Sequence, residues 1–245
     1  MNKKILASVL AVVLAVSGLS ALSATASAAN LTSGDYTYSV NSDGTVCIEK
    51  YNGHQSSVRI PSTIDGKSVT KLAYHSFANN KNVINITLPN TITSAGEEVF
   101  LNSSLQSATL EYGTKAVPSG MFMYAQNLSK VTLPSTLEKI EAQAFDTCSS
   151  LASISIPSSV KVIGYRAFAN CSAMKPITIP KSITNIESGA FRNSQIFAVT
   201  FEDGTTAIPN DAMLNMSKLT SVTIPDTVQT IKYKAFCFAL NKIWE

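Results

Sequence analysis

The chain has 245 residues, of which 45% are hydrophobic and only 14% charged, with a formal net charge of +3. Its Lys and Arg residues are scattered singly, so the basic stripe that a nucleic-acid partner requires is missing. Two histidines leave little material for acid–base or metal chemistry.

Taken in chain order, Met1 to Lys4 form a basic start to an apolar run from Ile5 to Leu19, and Ala26-Ser27-Ala28 supplies a small-x-small cleavage pattern. This reads as an export signal over residues 1–28. Ser17, Gly18, Ser20, Ser23 and Thr25 dilute the run too early for a membrane anchor, which needs ~20 apolar residues. A secreted or cell-surface protein, not inserted in the membrane after signal removal, is therefore expected. Of the 19 basic residues, Lys3 and Lys4 leave with the signal, so 17 face 16 acidic ones, a formal balance of +1.

Residues 29–57 do not repeat. Tyr36 to Val40 and Thr45 to Ile48 alternate around Asn41-Ser42-Asp43-Gly44, a hairpin signature. Such a hairpin would cap the open end of the array that follows. No comparable capping pattern is read before Glu245.

Residues 58–245 are periodic. Phe77, Phe100, Phe122, Phe145, Phe168, Phe191 and Phe236 follow one another at 22 or 23 residues, with Met213 filling the one gap, so about eight coils are visible. Five residues earlier stands a second apolar column, Leu72, Ala95, Val117, Ile140, Ile163, Ile186, Ile208 and Ile231. Segments such as Leu128 to Pro134, Leu151 to Pro157 and Leu219 to Pro225 alternate apolar and polar residues before a proline, so each coil is expected to carry one short strand. The return path around each Phe, for example Gly164 to Phe168, is expected to form one helical or 3₁₀ turn. One coil cannot bury enough apolar surface to fold alone, so the coils must stack with parallel strands in register. Leu110-Glu111-Tyr112-Gly113-Thr114 and Phe201-Glu202-Asp203-Gly204-Thr205 replace the usual Ile-Pro step and read as variant corners on a glycine turn. Glu111 and Glu202 lie four coils apart, ~20 Å at ~4.8 Å per strand, too far to act as a catalytic pair.

The pattern Leu-x-x-Val-x-Ile-Pro-x-x-Val-x-x-Ile-x-x-x-Ala-Phe-x-x-Cys, with Phe145 to Cys148 and Phe168 to Cys171 carrying its closing signature, resembles the BspA-type leucine-rich repeat. The resemblance covers roughly residues 58 to 241. It implies a right-handed curved solenoid on secreted or surface proteins of host-associated bacteria, often concerned with adhesion to host matrix proteins or other cells. It names no ligand, because its defining residues are core residues.

Two sets of side chains are candidates for binding. Thr87, Thr109, Thr132, Ser155, Thr178, Thr200 and Thr223 occupy one outward strand position in seven coils, on the face that is concave in leucine-rich repeats. Such a ladder offers regular donors and acceptors to an extended protein or glycan, although Thr also simply suits exposed strands. Tyr74, Tyr165 and Tyr233 share a column three residues before Phe and form the second candidate. Asn79, Asn102, Asn170, Asn193 and Asn215 are expected to bond backbone groups of stacked turns. Cys148 and Cys171 fall in one column of adjacent coils, where either a disulfide or two buried thiols would fit. No nucleophile elbow, zinc helix, phosphate loop or dinucleotide fingerprint occurs, so no enzyme, cofactor or metal site is expected. The expected function is a monomeric binding or adhesion module for an extracellular protein or glycan. The alternative is a structural spacer within a larger secreted or cell-wall protein.

Overall fold

In a computed structural model describing residues 30–239, the chain winds into a β-solenoid of about eight turns whose parallel strands recur about every 23 residues. The export segment expected over residues 1–28 lies outside the described residues. No helix occurs among the described residues, and so none is long and apolar enough to cross a membrane.

The chain opens with an antiparallel meander of β1 (Leu31–Ser33), β2 (Tyr36–Val40) and β3 (Val46–Tyr51). Next come β4 (Ser57–Arg59), β5 (Thr63–Ile64) and β6 (Lys67–Leu72). Strand β3 runs parallel to β6, with Ile48 opposite Leu72, so the second arm of the hairpin is also the first rung of the coil stack. From there the strands are β7 (Asn85–Leu88), β8 (Ser94–Ala95), β9 (Ser107–Leu110), β10 (Ala116–Val117), β11 (Lys130–Thr132), β12 (Lys139–Ile140), β13 (Val162–Ile163), β14 (Ile177–Ile179), β15 (Asn185–Ile186), β16 (Ala198–Phe201), β17 (Ala207–Ile208), β18 (Ser221–Thr223) and β19 (Thr230–Ile231). They form two series. The front series, β4, β7, β9, β11, β14, β16 and β18, holds the alternating segments read in the sequence except Leu151 to Pro157, which forms no strand. A back series of two-residue strands, including β10, β12, β13 and β15, carries the Leu72 column and adds a second parallel ladder behind the first.

The core lies between the two ladders and the return path. Phe77, Phe100, Phe122, Phe145, Phe168 and Phe191 are buried, and consecutive rings lie 5.2–5.5 Å apart. Tyr51, at the end of β3, stacks on Phe77 at 5.1 Å and so extends this aromatic stack into the hairpin. Its backbone follows the coil pattern as well. The Tyr51 N–H donates to the Ser76 carbonyl as the Phe77 N–H donates to the Val99 carbonyl.

The helical turn expected around each Phe is replaced by consecutive tight turns. The residues two before and two after Phe77 (His75 and Asn79) have φ of 60° and 59°, and the same two positions recur in every described coil, as in Arg166 and Asn170 around Phe168. A left-handed residue after a single turn stops a helix from propagating. It turns the N–H groups toward the next coil, where Phe145 donates to Ala167 O and Thr147 to Ala169 O, both at 2.8 Å. Left-handed backbone explains the asparagine column, since Asn tolerates this region better than other residues with a Cβ. Side-chain bonding between coils is present but secondary: Asn193 donates to Asn170 Oδ1 at 3.1 Å, and Asn170 to Asp146 Oδ1 at 2.8 Å.

Candidate functional site

The outward hydroxyl column takes its place on the front face. Arg59, Thr87, Thr109 and Thr132 stand in register across β4, β7, β9 and β11, and Thr178, Thr200 and Thr223 across β14, β16 and β18. Thr87 and Thr109 are half-buried, while the later five members from Thr132 onward are exposed. The first coil thus places a guanidinium in the column ahead of the hydroxyls, a feature that the periodic pattern of Thr conceals.

Between the two runs the ladder is interrupted. Among the described residues, no backbone hydrogen bond ties residues 153–156 to the strands on either side, and Ser155 stands alone. On the far side of the break stands Pro176. In several other coils the residue at this position donates its N–H to the preceding coil, as Lys130 does to Gln106 O and Ser221 to Phe197 O, whereas Ser153 and Ala198, in the coils on either side, make no such bond. Pro176 has no N–H to give, so Ala152 O accepts only from Lys175, at 2.9 Å. The front face opens here into a cleft of about 420 Å³ edged by Ser153, Ser155, Ser158, Pro176, Thr178 and Glu202. Neither Pro176 nor Glu202 stands out as a site residue in the sequence. The one available signal is a proline inside, not after, an alternating segment.

The two variant corners fold alike. Glu111 N–H donates to Leu88 O and Glu202 N–H to Ile179 O, both at 3.0 Å; Thr114 and Thr205 return two hydrogen bonds each to the glutamate carbonyls. Gly113 and Gly204 take φ of 97° and 89°, which a glycine turn requires. The carboxylates differ. Glu111 pairs with Arg59 at 2.5 Å, whereas Glu202 accepts only the Lys181 N–H, at 3.0 Å, among the described residues.

The tyrosine column is exposed but not gathered. Tyr74, Tyr165 and Tyr233 are separated by coils that carry Glu97, Ser119 and Ala142, then Ser188 and Asn210, at the same position. Tyr74 stacks on His75 and donates to Glu98, and Lys234 lies over the Tyr233 ring. Cys148 and Cys171 are buried free thiols that donate to Phe122 O and Phe145 O. Burial pushes the Cys171 thiol up to about 12 and the Cys148 thiol in the same direction. Asp146, also buried, accepts from Thr147 and Asn170 and pairs with Arg166 at 3.0 Å, which ties neighbouring coils together. Among the described residues no three of His, Cys, Asp and Glu come together as a metal-holding group.

The chain matches the family model described as "BspA type Leucine rich repeat region" in six copies, over residues 51–174 and 115–243. Among solved structures it is similar to the leucine-rich-repeat protein TpLRR of T. pallidum, with 24% identity, TM-score 0.55, 88% of this chain and 92% of that one covered. It is also similar to a leucine-rich cell surface protein of Faecalibacterium prausnitzii A2-165, with 22% identity, TM-score 0.54, 89% of this chain and 76% of that one covered. At these identities the likeness concerns the fold. No curated protein matches the chain.

Proposed function

Because the chain belongs to the BspA-type leucine-rich-repeat family, we propose that it is an exported, non-enzymatic binding module that engages an extracellular protein or glycan along its front strand face. The observation that carries this reading is the column of hydroxyls at one outward position through seven coils, five of them exposed. Within each of the two paired runs parallel strands set these groups ~4.8 Å apart, so an extended partner meets them in sequence. Each exposed hydrogen bond contributes only ~0.5–1.5 kcal/mol, and micromolar affinity requires ~8 kcal/mol beyond the cost of association. At least about six such bonds must therefore act together, which takes three or more coils even when each hydroxyl both donates and accepts. The Faecalibacterium prausnitzii neighbour is described as a cell surface protein. A surface location is proposed here on the same fold and on the N-terminal segment, residues 1–28.

The test is to screen immobilised extracellular-matrix proteins and a glycan array, then measure affinity for the strongest hit. Thr132→Ala should change it by no more than about twofold. Changing Thr132, Ser155 and Thr178 together to Lys should abolish it in a folded protein. Unchanged binding by the triple variant would remove the front face and leave the tyrosines as the better candidate.

A further inference from the structure

The first variant corner shows what the second one lacks. Arg59 stands in the outward column in register with Thr87 and, one coil on, Thr109. Its guanidinium crosses the intervening coil to the carboxylate of Glu111, two residues beyond Thr109. Moving every residue of this arrangement four coils along the solenoid replaces Thr87 by Thr178, Thr109 by Thr200, Glu111 by Glu202, and Arg59 by Ser155. The backbone of the corner is reproduced, bond for bond, at Glu202 and Thr205. What changes is that the arginine has become a serine, and the space on that side is the cleft that Ser155 and Glu202 both line. The hydroxyls of Ser153, Ser155 and Ser158 have no protein partner among the described residues, and Pro176 supplies a flat apolar wall.

We propose that this cleft takes up the guanidinium of an arginine side chain from a polypeptide partner, held by Glu202 as Glu111 holds Arg59. The chemistry fits each wall. A carboxylate at one end forms charge-assisted hydrogen bonds with the planar fork, and serine hydroxyls accept from its remaining N–H groups. The methylene stem lies along Pro176 and the half-buried Ile154. The proposal rests on the front face being the binding surface, and it names the residue type that anchors a partner there.

The Lys181 amide, bonded to the Glu202 carboxylate, is a direct reporter in ¹⁵N NMR. The probes are acetyl-Gly-Arg-Gly-amide, the same peptide with citrulline, whose urea keeps the shape without the charge, free L-arginine, and an eleven-residue extended peptide with a central arginine or citrulline. The arginine tripeptide should shift the Lys181 amide and bind about tenfold more tightly than the citrulline form. Glu202→Gln should erase that discrimination. Ser155→Arg should fill the cleft from within and prevent the shift. The longer arginine peptide should bind more tightly than the tripeptide and free arginine, since only it reaches neighbouring coils. If the long peptides bind equally with arginine and citrulline, the cleft proposal fails while the face reading survives. If arginine is preferred but length adds nothing, the cleft stands and the multi-coil reading fails. No binding by any arginine probe, or an undiminished shift in folded Ser155→Arg, would overturn the proposal.

Discussion

Thr147 illustrates what a single residue contributes to this fold. It occupies the position two after Phe145 with φ of 62°, where most other coils use Asn. A β-branched residue is among the least suited to left-handed backbone, and such strain costs on the order of 1 kcal/mol or more. Thr147→Asn should relieve part of it, since an Asn amide can still reach the Asp146 carboxylate that the Thr147 hydroxyl now contacts at 2.9 Å. A gain of about 0.5–1 kcal/mol, visible as a rise of roughly 1–4 °C in Tm by calorimetry, is expected. An unchanged or lower Tm would show that Thr147 is not strained. This level was only partly legible in the sequence. The Asn column was plain, but Tyr124, Thr147 and Phe238 at the same position share no side-chain chemistry with it. What unites them is a backbone angle, which leaves no common letter in the sequence.

At the level of elements, the aromatic stack and the front ladder act separately. Phe168 is fully buried between Phe145 at 5.2 Å and Phe191 at 5.5 Å. Its replacement by Ala leaves a void between two rings held in place by their own coils, so a loss of ~3–5 kcal/mol is expected in denaturant titration. A loss below about 1 kcal/mol would mean that the stack collapses around the gap. The front ladder is tuned in the opposite sense at Pro176. Restoring an N–H with Pro176→Ser allows a second bond to Ala152 O, of the kind that Lys130 and Ser221 make in their coils. Stability should rise by about 0.5–1.5 kcal/mol, the new amide should be protected in hydrogen exchange, and the cleft should narrow. Rapid exchange of that new amide would show that proline is not what holds the ladder open. The strands, their spacing and the buried columns could be read from period and alternation, because burial repeats every coil. The two-residue back strands could not, since a ladder bond needs no side-chain signature. The break at Ser155 was hidden by a sequence, Leu151 to Pro157, that fits the strand pattern as well as its neighbours do.

For the whole molecule, coils that pack chiefly on their neighbours make a one-dimensional array. Two departures from strict repetition, Pro176 and the Glu111 and Glu202 corners, give the front face a position that differs from the rest. The location of the hydroxyl column followed from alternation alone, whereas the cleft within it required knowing which coils fail to pair. The Tyr column shows the converse limit: a shared position in the repeat does not make a patch when two or three coils intervene. If the front face is the binding surface, threonine methyl groups report on it directly. With threonine methyls selectively labelled and a ligand from the matrix-protein or glycan screen bound, NMR cross-saturation from ligand to protein identifies the methyls in contact. Saturation of at least three among Thr109, Thr132, Thr178 and Thr200 is the expected result. Saturation confined to threonines off the front face, such as Thr147 on the return path, would contradict it.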